Sequence, residues 1–160
     1  MIKYILRLSK ADHHLWGSNP YELAVIEQWL AWTQNTWFAP FHQVVWPLYG
    51  VIKYIPEKYS AALKEIKGLA KKLDNFLKGR KYIGGDHMSF TDIYLTNVFK
   101  YIMQTVFDQG FRKAIPSLTE WYVRMTEDPL IVKRFGKCKL CAKALKPVED
   151  HILKVEITKS

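Results

Sequence analysis

From Pro20 to about Ile52 the apolar residues fall into two helical stripes. Leu23, Ile26, Leu30, Trp37 and Phe41 make one, and Val25, Trp29 and Trp32 make the other. A helix apolar on two sides is buried on two sides. Pro40 and Pro47 interrupt the pattern, so a kink or break is predicted near each. A second helix opens at Pro56-Glu57 and ends near Gly79. Leu63, Ile66, Ala70, Leu73 and Leu77 form its buried stripe, and Lys58, Lys64, Lys67, Lys71, Lys72 and Lys78 its solvated face. From Ser89 to about Phe107, Ile93, Leu95, Val98, Phe99, Ile102 and Val106 recur with Lys100 as the lone charge between Asp92 and Asp108. That pattern predicts a central core helix. Pro116 to Thr126 reads as a short helix, Asp128-Pro129 starts another, and Lys137 to Lys146 reads as a final basic turn or two. No strand pattern precedes residue 147, and no repeat is evident. The fold class is therefore all-α, a bundle of five or more helices.

The helix starts carry recognisable chemistry. Asn19-Pro20-Tyr21-Glu22 offers a capping side chain, a proline at the first helical position and an acid three residues after the cap. Ser89-Phe90-Thr91-Asp92 is a capping box with Asp in place of the usual Glu. Met88 and Ile93 are placed as its hydrophobic staple. Asp92 falls inside an apolar helix, so it is expected to be buried and hydrogen-bonded.

Composition narrows the class. The 160 residues are 49% hydrophobic and 14% aromatic, with six Trp and nine Tyr. That is one globular domain, not a disordered chain. Two Cys give no disulfide framework and fit a reducing compartment. No apolar run approaches the ~20 residues of a membrane span. The net charge of +9 favours acidic partners, nucleic acid or anionic lipid. The basic residues are mostly Lys spread along helices. Lys133, Arg134, Lys137, Lys139, Lys143 and Lys146 make the densest group in the sequence. No groove-reading or base-stacking module accompanies them, so RNA docking stands as an alternative only.

Several further segments accompany the box: Glu27-Gln28-Trp29-Leu30-Ala31-Trp32, Val45-Trp46-Pro47-Leu48-Tyr49-Gly50-Val51-Ile52, Phe111-Arg112-Lys113-Ala114-Ile115-Pro116 with Trp121 after it, and Gly136-Lys137-Cys138-Lys139-Leu140-Cys141. In this order and at these spacings, over roughly residues 15 to 146, they resemble the glutathione-transferase-like C-terminal domain of the gamma subunit of the translation elongation factor 1 complex. The resemblance implies three parts. Residues 1–14 are an N-terminal helix, a possible remnant of a thioredoxin-like domain. Residues 15–146 are the transferase-like helical domain. Residues 147–160 are a tail, read as an arm or a strand added to a partner. The Met1–Lys10 segment has a second reading, an organelle-targeting sequence, which would make the compartment mitochondrial rather than cytoplasmic.

The resemblance also implies function. Enzymes of this type bind glutathione mainly through the thioredoxin-like domain, which also activates the sulfur. This sequence starts after that domain, so no catalytic residue, cofactor or small-molecule substrate is expected. A non-catalytic scaffold subunit of a multi-protein assembly is the primary reading. A split or degenerate transferase is the enzymatic alternative. The interface candidates are Trp29, Trp32 and Trp37, on faces the missing domain would cover, and Tyr122, Arg124 and Arg134 farther along, where scaffold domains of this type often join.

The remaining candidate chemistry is thin. Cys138 and Cys141 form a Cys-x-x-Cys without the second ligand pair a zinc site needs or the preceding strand usual for a redox pair. They are read as packing residues. His13-His14 could hold a metal but has no third ligand at a usable spacing, so a loop is expected. His42, among Pro40, Phe41, Val44 and Val45, reads as packed.

Overall fold

A computed structural model describes residues 13–148. The Met1–Lys10 helix and all but the first two residues of the 147–160 tail lie outside them. Seven α-helices run along the described chain: α1 Pro20–Trp32, α2 Phe38–Val45, α3 Pro56–Leu77, α4 Phe90–Thr105, the single turn α5 Gln109–Arg112, α6 Pro116–Glu127 and α7 Pro129–Phe135. No strand occurs among the described residues, so the all-α class holds. A 3-10 turn at His13–Trp16 stands where a loop was expected.

The helices form because their signals agree. Asn19 accepts from the Glu22 amide at 3.0 Å, and Pro20 occupies the first turn of α1. Glu22 reaches back past the cap and accepts from the Ser18 amide at 2.6 Å, tying the preceding loop to the helix start. The prolines act as predicted, each in its own way. Ahead of Pro40 the chain widens into a π turn over Thr33–Trp37. Proline cannot donate to the carbonyl four residues earlier and its ring crowds that carbonyl, so a wider turn relieves both. Pro47 lies in a 3-10 turn, Trp46–Tyr49, which Gly50 ends at φ 65°.

α4 is the central helix. Leu95, Phe99, Ile102 and Met103 are fully buried, and the helix packs on α1, α2 and α6. The buried stripe of α3 runs through Ala62, Ile66, Leu69, Ala70, Leu73 and Leu77, packing on α2 at one end and α6 at the other. The Thr91 hydroxyl donates to the Ile26 carbonyl at 3.0 Å and pins α4 to α1.

The basic segment after α7 departs from expectation. Residues 137–146 form no helical turn. They lie as an extended strap across the C-terminal end of α4. The Cys141 amide donates to the Met103 carbonyl at 3.1 Å, and the Leu145 amide to Thr105 at 2.7 Å. The last carbonyls of a helix lack partners within it. Here the strap supplies them, and that use of its amides outweighs any local helical preference. The Val148 amide continues the path, donating to Pro47 at 3.0 Å.

Candidate functional site

The polar side chains buried in this core are spent on holding helices together. Ser89 and Asp92 form the predicted box. The Asp92 Oδ2 atom accepts from the Ser89 amide at 2.9 Å and from the Ser89 hydroxyl at 2.5 Å. Its Oδ1 atom accepts from the Ile83 amide at 2.8 Å and from Trp121 Nε1 at 2.9 Å. One fully buried carboxylate thus joins the glycine turn, the start of α4 and the middle of α6. Burial pushes the Asp92 carboxyl above its ordinary value, and these donors oppose that push. Gly84 permits the approach, since a Cβ there would stand 2.9 Å from the Ser89 Cβ.

Asp74 plays a similar part that the sequence pattern did not reveal. It is buried on α3, and its Oδ1 accepts from the Leu118 amide at 2.9 Å. α6 starts at Ile115-Pro116, and Ile115 has no side-chain acceptor for the free amides of the first turn. An aspartate 44 residues earlier provides it. The spacing pointed the other way: Asp74 stands three residues after Lys71 and four before Lys78, so the sequence reads it as a partner of the lysine face, and its burial corrects that reading.

The six interface candidates divide. Trp29 is 8% exposed, Trp37 is 0% and Tyr122 is 1%. Trp29 packs on Trp32 and Phe76, and Trp37 on Trp32 and Phe99, with ring centres 4.4–5.6 Å apart. The expectation that Trp29 and Trp37 face a partner is therefore corrected. Both rings fill the seam between α1 and its neighbours. Tyr122 is corrected likewise: it lies beneath the α6–α7 cleft beside Cys138, and burial pushes its hydroxyl up. Trp32 is half-buried, while Arg124 and Arg134 are exposed. Arg124 donates to the Lys81 carbonyl at 2.8 Å. Its guanidinium stands 6.0 Å from the Tyr82 ring centre.

Tyr21, Tyr101, Leu130 and Leu145 are exposed singly, and the exposed apolar residues that follow one another in the chain come nine residues and more after Trp37. Trp46 is 38% exposed, Tyr49 51%, Val51 42% and Ile55 37%. They follow one another where the chain passes from α2 to α3. Phe38, His42 and Trp46 stack along α2, with His42 5.5 Å from Phe38 and 4.2 Å from Trp46. Burial lowers the His42 pKa from its usual 6.5. Beside this stack a groove of about 540 Å³ opens between α2 and α3, lined by Pro40, His42, Trp46, Ala61 and Glu65 among others. A second cleft of about 490 Å³ lies between α6, α7 and the strap, with Val123, Val132, Cys138 and Leu140 on its walls.

The cysteines are free thiols, both part-buried. Residues 136–141 run without a turn or bend. A chain without a turn carries Cα atoms three residues apart toward its extended limit of about 10 Å, whereas a disulfide needs them within roughly 7 Å. Packing is their role in this geometry. Among the described residues no three His, Cys, Asp or Glu side chains converge as metal ligands. No helix among them is long and apolar enough to cross a membrane.

The model of the glutathione S-transferase C-terminal domain matches residues 38–129, from the start of α2 through α6. The chain belongs to that family. Among relatives, it is 26% identical to elongation factor 1-gamma of Rattus norvegicus and 27% identical to that of Artemia salina, over 133 and 134 residues. These alignments take in 83% and 84% of this chain but only 30% and 31% of the relatives. The chain therefore spans under a third of their length. The fold agrees. The GST-like domain of elongation factor 1-gamma from Saccharomyces cerevisiae superposes with a TM-score of 0.82 at 20% identity, over 91% of this chain and 68% of that one. A glutathione S-transferase from Rhodospirillum rubrum superposes at 0.69 and 14% identity, over 92% of this chain and 66% of that one.

Proposed function

We propose that this transferase-like domain is a non-catalytic, protein-binding subunit of a larger assembly, and that the assembly is a translation elongation complex in the cytoplasm. The similarity to elongation factor 1-gamma across 83% of the chain supports the setting. The observation that carries the binding role is the apolar surface from Trp46 to Ile55 beside the α2–α3 groove. A run of large exposed apolar side chains beside a groove marks an interaction site. Trp and Tyr are the residues that most often anchor such contacts. Trp32 is proposed as a second contact and Arg124 with Arg134 as a third, the arginines being suited to paired carboxylates.

Affinity capture of the tagged chain from its own cells, read by mass spectrometry, tests this. The same few proteins should copurify in fixed ratio with the wild type and be depleted with Trp46→Ser/Tyr49→Ser. A glutathione-conjugation assay on the purified chain, against a heat-killed control, decides the enzymatic alternative. Turnover above the control would overturn the non-catalytic reading.

A further inference from the structure

We propose that the outer face of α3 and the turn that follows it form a binding surface for the phosphate backbone of RNA. Lys64, Lys67, Lys71 and Lys78 recur at steps of three, four and seven residues. At 1.5 Å per residue they stand about 5, 6 and 10 Å apart along one side of the helix, a row roughly 20 Å long. Ser60, Asn75 and, two turns before Lys64, Glu57 are the other exposed residues on that side. Asp74 is turned inward onto the Leu118 amide, and Glu65 flanks the row, lining a groove with Lys64 and Lys72, so lysines outnumber the exposed acids along it.

The row continues past the helix end. Arg80 and Lys81 are exposed and rest on aromatic faces, the Arg80 guanidinium 4.5 Å from the Phe76 ring centre and the Lys81 ammonium 5.4 Å from that of Tyr82. Lys67 likewise lies 5.0 Å from Phe111. These ring contacts hold three of the six cations in place at little cost to their charge. A linear row of lysine point charges matches a flexible line of phosphates, whose binding is governed by counterion release. A bilayer is a poorer match. The exposed large apolar side chains of the described residues lie off this row, and an interfacial helix needs them beside its cations.

The surface differs from the densest basic stretch in the sequence. Lys137 and Lys139, two residues apart on the strap, share one side, but Lys143 lies past the bend at residues 142–143 and does not continue their line. Helical spacing, not density in sequence, makes a continuous field. The choice of RNA over DNA rests on the translational reading above. The surface itself does not.

Fluorescence anisotropy of the full chain with a labelled single-stranded RNA, across a salt series, tests the proposal. DNA of the same sequence and phosphatidylserine vesicles serve as parallel probes. Lys64→Gln/Lys71→Gln/Lys78→Gln should weaken RNA binding at least about tenfold and reduce the slope of log affinity against log salt by about 2, at roughly 0.7 per cation. Lys137→Gln/Lys139→Gln/Lys143→Gln removes the same charge and should leave the slope nearly unchanged. All six lysines are exposed, and circular dichroism checks that both variants fold. Equal losses in the two variants, or no salt-dependent RNA binding by the wild type, would overturn the surface. Tighter binding to DNA or to vesicles than to RNA would overturn the assignment of its ligand. Intact partner capture alongside either failure would leave the scaffold reading standing.

Discussion

Trp121 Nε1 donates to Asp92 Oδ1 across 2.9 Å, and neither residue has any exposed surface. The bond closes a node in which a single carboxylate answers the amides of Ile83 and Ser89, the Ser89 hydroxyl and one indole. Removing the acceptor strands all of these donors, whereas removing the indole strands none. Asp92→Ala should therefore cost about 3 kcal/mol and Trp121→Phe about 1–2 kcal/mol. Urea denaturation of both variants checks the order. Equal losses would show that the node is not shared in this way.

Asp74 and Leu118 make a second, smaller test. The aspartate caps α6 from another helix. Asp74→Ala is expected to cost about 1–2 kcal/mol, in the range of a lost cap, and to raise hydrogen exchange at the Leu118 amide first. Unchanged protection at Leu118 would count against the cap.

Much of this was legible in the chain. Asn19, Ser89 and Asp128 announce helix starts through local bonds within three residues, and those starts are where the sequence placed them. Asp74 was not legible as a cap, because its partner is 44 residues away. The strap over 137–146 was misread because its amides serve carbonyls at the end of α4, a tertiary use that leaves no periodic trace. The interface tryptophans were misplaced for a different reason. Their apolar stripes were assigned to a covering domain, whereas Trp29 and Trp37 are covered from within this domain by Trp32, Phe76 and Phe99.

His42 gives a pH dependence. Its pKa is lowered in the folded chain, so the unfolded chain binds the proton more tightly. The stabilisation is present above the usual value of 6.5 and is lost as pH falls through the lower folded value. Wild-type stability should therefore drop on acidification through that window, and His42→Gln should flatten the drop. Parallel pH profiles for the two proteins would refute it.

The thiols should stay apart. Under mild oxidation Cys138 and Cys141 are expected to remain separately alkylatable, with no intrachain disulfide. A two-hydrogen mass loss on the peptide carrying both would show that the strap refolds to close the loop.

The proposal that the domain is a protein-binding subunit is tested most directly by the native size of the untagged chain. Fresh extract is run on size-exclusion at several dilutions, with immunodetection and light scattering. The account predicts elution far above the 18.8 kDa of the chain, shifted toward that mass by Trp46→Ser/Tyr49→Ser. Elution of the wild type as an 18.8 kDa species at every dilution, unaltered by the substitutions, would contradict it.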